Sequence, residues 1–349
     1  MTAQDLGNVP GIDTHADTHT AVIADHLGRE LDVLEFESTR SGYRAFLKWA
    51  RSFGELDGRV GVEGTGAYGA GLARFLVANG LIVIEVNRPN RQHRRNHGKS
   101  DPADALAAAR SVISGQAAVL AKDMNGLVET VRVLHVARRS AVKAKTAAAN
   151  QMKDLVLTAP DSIRESLRGL TATQRVRVCA KWRPGPVTDP TTASRQALHV
   201  LAKGWVALHK ETKTAEKQML VLLTELAPSL LAEQGVGIDV AARLVIAAGQ
   251  NPERLRNEAA FAALCGTSPV NASSGKTQRH RLNRGGNRSA NNALHTVVLH
   301  RARRCPETRA YIERRRSEGK TNREIWRCLK RSLARRFHHH IINDLALLT

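Results

Sequence analysis

Residues 11–38, GIDTHADTHTAVIADHLGRELDVLEFES, decide the fold. Apolar residues alternate through HTAVIAD (19–25) and LDVLEFES (31–38), which predicts two half-buried strands. A first short strand precedes them and ends at Gly11-Ile12-Asp13. Downstream, Tyr43, Phe46, Leu47 and Trp49 have helical spacing within Gly42 to Phe53. A strand follows at Val60-Gly61-Val62-Glu63, then a helix from Tyr68 to Ala78 and a strand from Leu81 to Val86. A further helix opens near Asp101-Pro102.

The order over residues 8–115 is therefore β-β-β-α-β-α-β-α, a three-stranded meander followed by crossovers. That order is characteristic of the RNase H fold rather than of a pure doubly wound sheet. Beyond it, residues 118–160 and 192–232 have helical spacing, separated by Trp182-Arg183-Pro184-Gly185-Pro186 and Asp189-Pro190. They predict an antiparallel helical pair, either a coiled-coil arm or an ordinary bundle. Residues 233–349 read as mainly helical, with Gly235-Val236-Gly237 suited to a turn that approaches a phosphate closely. The expected organisation is an RNase H-like domain at 1–117, a helical or coiled-coil region at 118–232 and a basic helical domain at 233–349.

Composition restricts the partners. The net charge of +21 points to a polyanion, nucleic acid or an acidic membrane surface. No apolar run approaches the ~18 residues that span a bilayer, and the first residues lack a signal-peptide core. The expected setting is cytoplasmic and nucleoid-associated, with nucleic acid as partner and no membrane. From Lys276 to Arg336 there are 19 Lys or Arg against four Glu, a surplus of +15. Such a segment repels itself unless a polyanion lies nearby. The four cysteines, Cys179, Cys265, Cys305 and Cys328, form no C-x-x-C pair and read as reduced thiols.

Four carboxylates carry the chemistry. Asp13 ends the first strand and Glu63 the fourth, its expected neighbour, while Asp101 and Asp104 are i and i+3 on the last helix. Phosphoryl transfer on nucleic acid uses two Mg²⁺ about 3.5–4 Å apart to neutralise the attacking and leaving oxygens. Asp and Glu are suitable oxygen ligands for that ion. Structural alternatives are Asp101 as a helix N-cap before Pro102, Asp104 as a first-turn acid and Asp13 as a turn residue. His15 and His19 read as turn residues beside the site rather than metal ligands. Arg91, Arg94 and Arg95 precede Asp101 and fit either phosphate contact or plain solvation.

Two decoys overlap these residues. Gly64-Thr65-Gly66-Ala67-Tyr68-Gly69 matches the dinucleotide fingerprint, with Glu85 about twenty residues on. Glu63 would then face the pyrophosphate, and antiparallel strands precede the motif, both of which count against it. Gly275-Lys276-Thr277 resembles the end of a P-loop, but Val270 stands where the first glycine is required.

The segment 261–294, FAALCGTSPVNASSGKTQRHRLNRGGNRSANNAL, resembles the insertion-sequence transposases of the IS-one-ten group. GIDTHADTH, VEGTGAYG, SDPADALAAAR, the GVG turn, FAALCGTSP, SSGK and RGGN follow that family's order. The resemblance implies a RuvC-like DEDD domain joined through a coiled coil to a C-terminal serine domain. Its carboxylates fall on Asp13, Glu63, Asp101 and Asp104, and its serine on Ser274, with Ser273 one residue away. It implies that the serine forms a covalent phosphoserine link to DNA under guidance from a noncoding bridge RNA. A dimer or tetramer is expected. The nucleic-acid contacts expected in this segment are Lys276, Arg279, Arg281, Arg284, Asn287 and Arg288. The competing activity is a RuvC-like junction-resolving endonuclease that uses water as nucleophile.

Overall fold

The structure is a computed structural model describing residues 7–86, 100–274 and 280–348. Two compact units are present, residues 1–128 with 248–260 and residues 129–247 with 261–349.

The first unit is built on a five-stranded mixed sheet. Its strands are β1 (Val9–Thr14), β2 (Thr18–Ala24), β3 (Glu30–Glu37), β4 (Arg59–Glu63) and β5 (Ile82–Val86). They lie in the order β3-β2-β1-β4-β5, with β1–β2 and β2–β3 antiparallel and β1–β4 and β4–β5 parallel. The meander followed by crossovers is the order expected from the alternation of 11–38. Helix α1 (Arg40–Arg51) is capped by Thr39, whose side chain accepts from Gly42 N, and α2 (Ala70–Ala78) follows β4.

Side chains alternate across the sheet. On one face Ile12, Ile23, Val60 and Val62 pack with Tyr43, Phe46 and Leu47 of α1 and Leu72 and Leu76 of α2. The opposite face takes helix α3 (Asp101–Ile113), whose Ala108 and Val112 pack with Ile84 and Val86. At about 25 cal/mol per Å² of apolar area removed from water, these two layers dominate the stability of the unit.

The α3 face is unusually close to the sheet, and two glycines allow it. Gly11 of β1 is the register partner of Gly61 of β4. A Cβ on Gly11 would lie 2.1 Å from Ala105 O and 2.3 Å from Ala109 N, and one on Gly61 2.8 Å from Ala108 O. Small residues on both sides thus set the helix directly on the backbone. Gly11→Ala is expected to cost about 3 kcal/mol, because rigid backbone would have to move. Gly61→Ala should cost less. Urea midpoints at constant m-value measure both, and equal midpoints for wild type and Gly11→Ala would refute the close-packing argument.

Residues 118–125 are not helical, contrary to the expectation for 118–160. Leu120 forms a bridge with Ile84, and helix α4 (Gly126–Thr158) starts only at Gly126, whose φ of +75° suits glycine alone. Segment 248–260 belongs to the same unit. Arg254 donates to Leu120 O at 3.0 Å and to Glu85 Oε2 at 2.9 Å. Glu85, the acid of the dinucleotide fingerprint, is therefore held in an ion pair.

The second unit is mostly helical. Helix α4 runs beside α7 (Pro190–Leu226) in the opposite direction. Arg138 pairs with Glu216, Lys145 lies 5.3 Å over the Trp205 ring, and Met152 packs in one core with Leu198. Between them lie two short helices absent from the sequence reading, α5 (Asp161–Leu167) and α6 (Ala172–Ala180), the latter started by a Thr171–Gln174 capping box. Helices α8 (Pro228–Leu231), α9 (Ile238–Ala248) and α10 (Glu258–Leu264) follow. A hairpin of β6 (Val270–Asn271) and β7 (His280–Arg281) then interrupts the helices. Helices α11 (Arg288–Arg304), α12 (Pro306–Ser317) and α13 (Asn322–Ala346) complete the chain. Buried Glu233 ties α11 to α13, accepting from Arg301, Arg336 and His340. The four cysteines are free.

Candidate active site

The geometry of the carboxylates follows from the glycine contact. Asp13 and Glu63 stand two residues after Gly11 and Gly61 on neighbouring parallel strands. Both therefore emerge on the α3 face, side by side at the strand ends. Since Gly11 meets Ala105 and Ala109, the strand ends reach the first turn of α3, which carries Asp101 and Asp104. Asp13, Glu63 and Asp104 are buried, with relative exposures of 6%, 5% and 8%. Asp101 is half-buried at the rim.

Asp101 is not the N-cap. Ser100 takes that role, its side chain accepting from Ala103 N, so that Asp101 occupies the first helical position before Pro102. The cap removes one competing use of the Asp101 carboxylate and leaves it facing the cluster. Thr14 Oγ1 donates to Glu63 O at 2.8 Å, which fastens the end of β4 to the end of β1. Gly64, with φ of +75°, turns the chain away at once; a Cβ there would lie 2.8 Å from Thr14 Oγ1.

His15 is part of this cluster. Its Nε2 lies 3.3 Å from a carboxylate oxygen of Asp13 and 3.3 Å from one of Asp101. One ligand atom from each of Asp13, His15 and Asp101 falls within a 4.8 Å group able to hold a metal ion. The turn that presents His15 is held by His15 N, which donates to Thr18 O and to His19 Nδ1. His19 is not in the turn as expected. It lies in β2, fully buried, stacked on Tyr43 at 5.9 Å and held below the usual histidine range by burial. The Thr and Asp residues around both histidines suggest a loop, which masks the strand position of His19. The i, i+2 relation of Asp13 and His15 was the available signal for His15.

Burial pushes the carboxyl of Asp13 above the usual range; His15 opposes that, while Asp104 and Asp101 add to it. Crowded carboxylates in a partly dry site are what a divalent cation would relieve, and the ligand atoms within reach of one another are a carboxylate oxygen from each of Asp13 and Asp101 and the His15 ring nitrogen. The residues therefore fit a metal on chemical grounds.

In the other unit, Ser274 is exposed beyond the end of β6. Ser273 Oγ is committed locally, donating to Asn271 Oδ1 at 2.5 Å, while its N–H donates to the same oxygen at 3.2 Å. Arg281, Arg284 and Arg288 are exposed. Asn287 caps α11, accepting from Ser289 N and Ala290 N. Its backbone N donates to Leu264 O, and Gly286 (φ +81°) sits where a Cβ would meet Gly266 N at 2.6 Å. The RGGN stretch thus packs tightly on the end of α10. Lys276 and Arg279, like Arg91, Arg94 and Arg95, lie outside the described residues. Among the described residues no helix is long and apolar enough to cross a membrane.

A mixed sheet with carboxylates at two strand ends and one helix start carries a candidate metal centre. Comparison with known proteins makes the assignment specific. A DEDD-type IS110 model described as "Transposase" matches residues 10–159, and a model described as "Transposase IS116/IS110/IS902 family" matches residues 227–313. The chain belongs to the IS110 family of insertion-sequence transposases. It is 31% identical over 125 residues to the "Insertion element IS110 uncharacterized 43.6 kDa protein" of Streptomyces coelicolor. That stretch covers 35% of this chain and 31% of the relative.

Proposed function

We propose that the protein is a DNA transposase, a recombinase that cuts and rejoins DNA, with an RNase H-like (RuvC-like) first unit holding Mg²⁺. The supporting observation is that Asp13 and Glu63 stand at the ends of the neighbouring inner strands β1 and β4, on the face that takes the helix whose first turn carries Asp101 and Asp104, within the stretch matched by the DEDD-type transposase model. Bound Mg²⁺ would supply charge neutralisation at the attacking and leaving oxygens. The chain's residues do the rest. The Asp13 and Glu63 carboxylates are fixed by the two strand ends, and Asp101 and Asp104 by the capped start of α3. His15 Nε2 stands between Asp13 and Asp101, 3.3 Å from an oxygen of each.

Ser274 is the nucleophile in this proposal. Its Oγ forms a bond to phosphorus as the P–O bond to one strand end breaks, and that end leaves as a hydroxyl. Rejoining reverses the step with a hydroxyl from another strand. Phosphodiesters are conserved, so no high-energy cofactor is consumed. Ser274 is assigned over Ser273 because the Ser273 hydroxyl is engaged by Asn271. A noncoding bridge RNA as guide and a dimeric or tetrameric assembly come from the family resemblance. The carboxylate cluster lies entirely within one unit, which also suits a junction-resolving nuclease using water.

Incubating the protein with DNA of an element end, its adjoining noncoding RNA and Mg²⁺ tests the proposal. Recombined strands are expected, lost with chelator. Cutting to free ends without rejoining would favour the nuclease, and no cutting in any divalent ion would refute both.

A further inference from the structure

A cleft of about 1180 Å³ in the second unit lies between the β6–β7 hairpin and the start of α13. Arg281, Lys320, Arg323, Arg327, Lys330 and Arg331 line it. On α13 the cations at 323, 327, 330 and 331 follow i, i+4, i+7 and i+8, so they share one helical face. Like charges at that spacing destabilise a free helix.

The one acidic residue in the lining is Glu324, a single negative charge among these cations, close enough to Lys320 and Arg327 to interact with both. Its carboxylate accepts from Thr321 N and Thr321 Oγ in the capping box of α13. Two of the cations are fixed from below. Arg327 donates to His280 O at 3.3 Å, and Lys330 to Asn291 Oδ1 at 2.9 Å. Burial, with Arg327 beside it, holds Lys330 below the usual lysine range. Among the described residues Nη1 of Arg331 is buried without a hydrogen-bond partner. A buried donor left unpaired is costly, and an anion in the cleft would satisfy it.

We propose that this cleft grips the phosphodiester backbone of the DNA strand that Ser274 attacks. The location carries the choice of strand. His280, a wall of the cleft, is the register partner of Asn271, and Ser274 stands three residues beyond Asn271. Three residues reach at most ~11 Å, roughly three base-pair rises along a duplex axis. A backbone seated in the cleft therefore continues within reach of the serine. Position-independent phosphate contact of this kind sets register without reading sequence. The inference rests on the transposase reading for the identity of the strand.

The test uses the full chain and a fluorescent DNA duplex of arbitrary sequence, with affinity followed by anisotropy across a salt series. Arg281→Ala, Lys320→Ala and Arg323→Ala combined remove three exposed side chains, and circular dichroism checks the fold. The slope of log K against log salt is expected to become shallower by about 2.7, or 0.9 per contact. The Lys/Arg-exchanged triple variant should keep the wild-type slope. An unchanged slope in the alanine variant overturns the proposal, and a change seen only with a single-stranded RNA probe overturns the assignment to DNA. Ser274→Ala should leave the slope intact. Failure of the serine chemistry would appear as a missing covalent adduct at unaltered slope, distinguishable from failure of the cleft.

Discussion

Glu63→Gln should reduce DNA cleavage by about a thousandfold or more, with the fold and DNA affinity retained. A thousandfold corresponds to about 4 kcal/mol of transition-state stabilisation, within reach of one ligand to a catalytic ion. The change is nearly isosteric at a buried position, and Thr14 still fastens the strand end through the Glu63 carbonyl. Single-turnover cleavage measures the effect, with circular dichroism checking the fold. Wild-type cleavage by the variant would remove Glu63 from the site.

Ser274→Ala should abolish the covalent protein–DNA adduct, detectable by denaturing gel after incubation with Mg²⁺. Alanine lacks the oxygen that bonds to phosphorus, so no residual pathway to the adduct exists. The substitution is at an exposed position and should leave stability unchanged. Ser273→Ala is the paired control. It loses a hydrogen bond to Asn271 and should retain adduct, weakened at most about tenfold by loosening of the hairpin. Adduct formed by Ser274→Ala but not by Ser273→Ala would move the nucleophile by one residue.

The strands and their order were readable in the sequence because alternation through HTAVIAD and LDVLEFES reports a half-buried sheet directly. That Asp13, Glu63, Asp101 and Asp104 stand at element ends was readable from the strand and helix patterns. What brings them together was not, because a glycine has no side chain with which to announce a contact. Gly11 and Gly61 look like ordinary strand residues until α3 is laid across them. Ser100 was passed over as the cap because Asp101 is an equally good capping residue next to Pro102. Helix α4 was started too early because residues 118–125 are apolar and Ala-containing, while Leu120 is drawn into a bridge with Ile84. The basic surplus of the last helices was plain, but its concentration in one cleft depends on how the β6–β7 hairpin meets α13.

If the four carboxylates of the first unit hold divalent metal, anomalous diffraction from crystals of the full chain soaked in Mn²⁺ will locate it. Peaks are expected within coordinating distance of Asp13, Glu63, Asp101 and Asp104, and Glu63→Gln should weaken or remove at least one. Crystals of active protein with no anomalous peak among these carboxylates would contradict the claim.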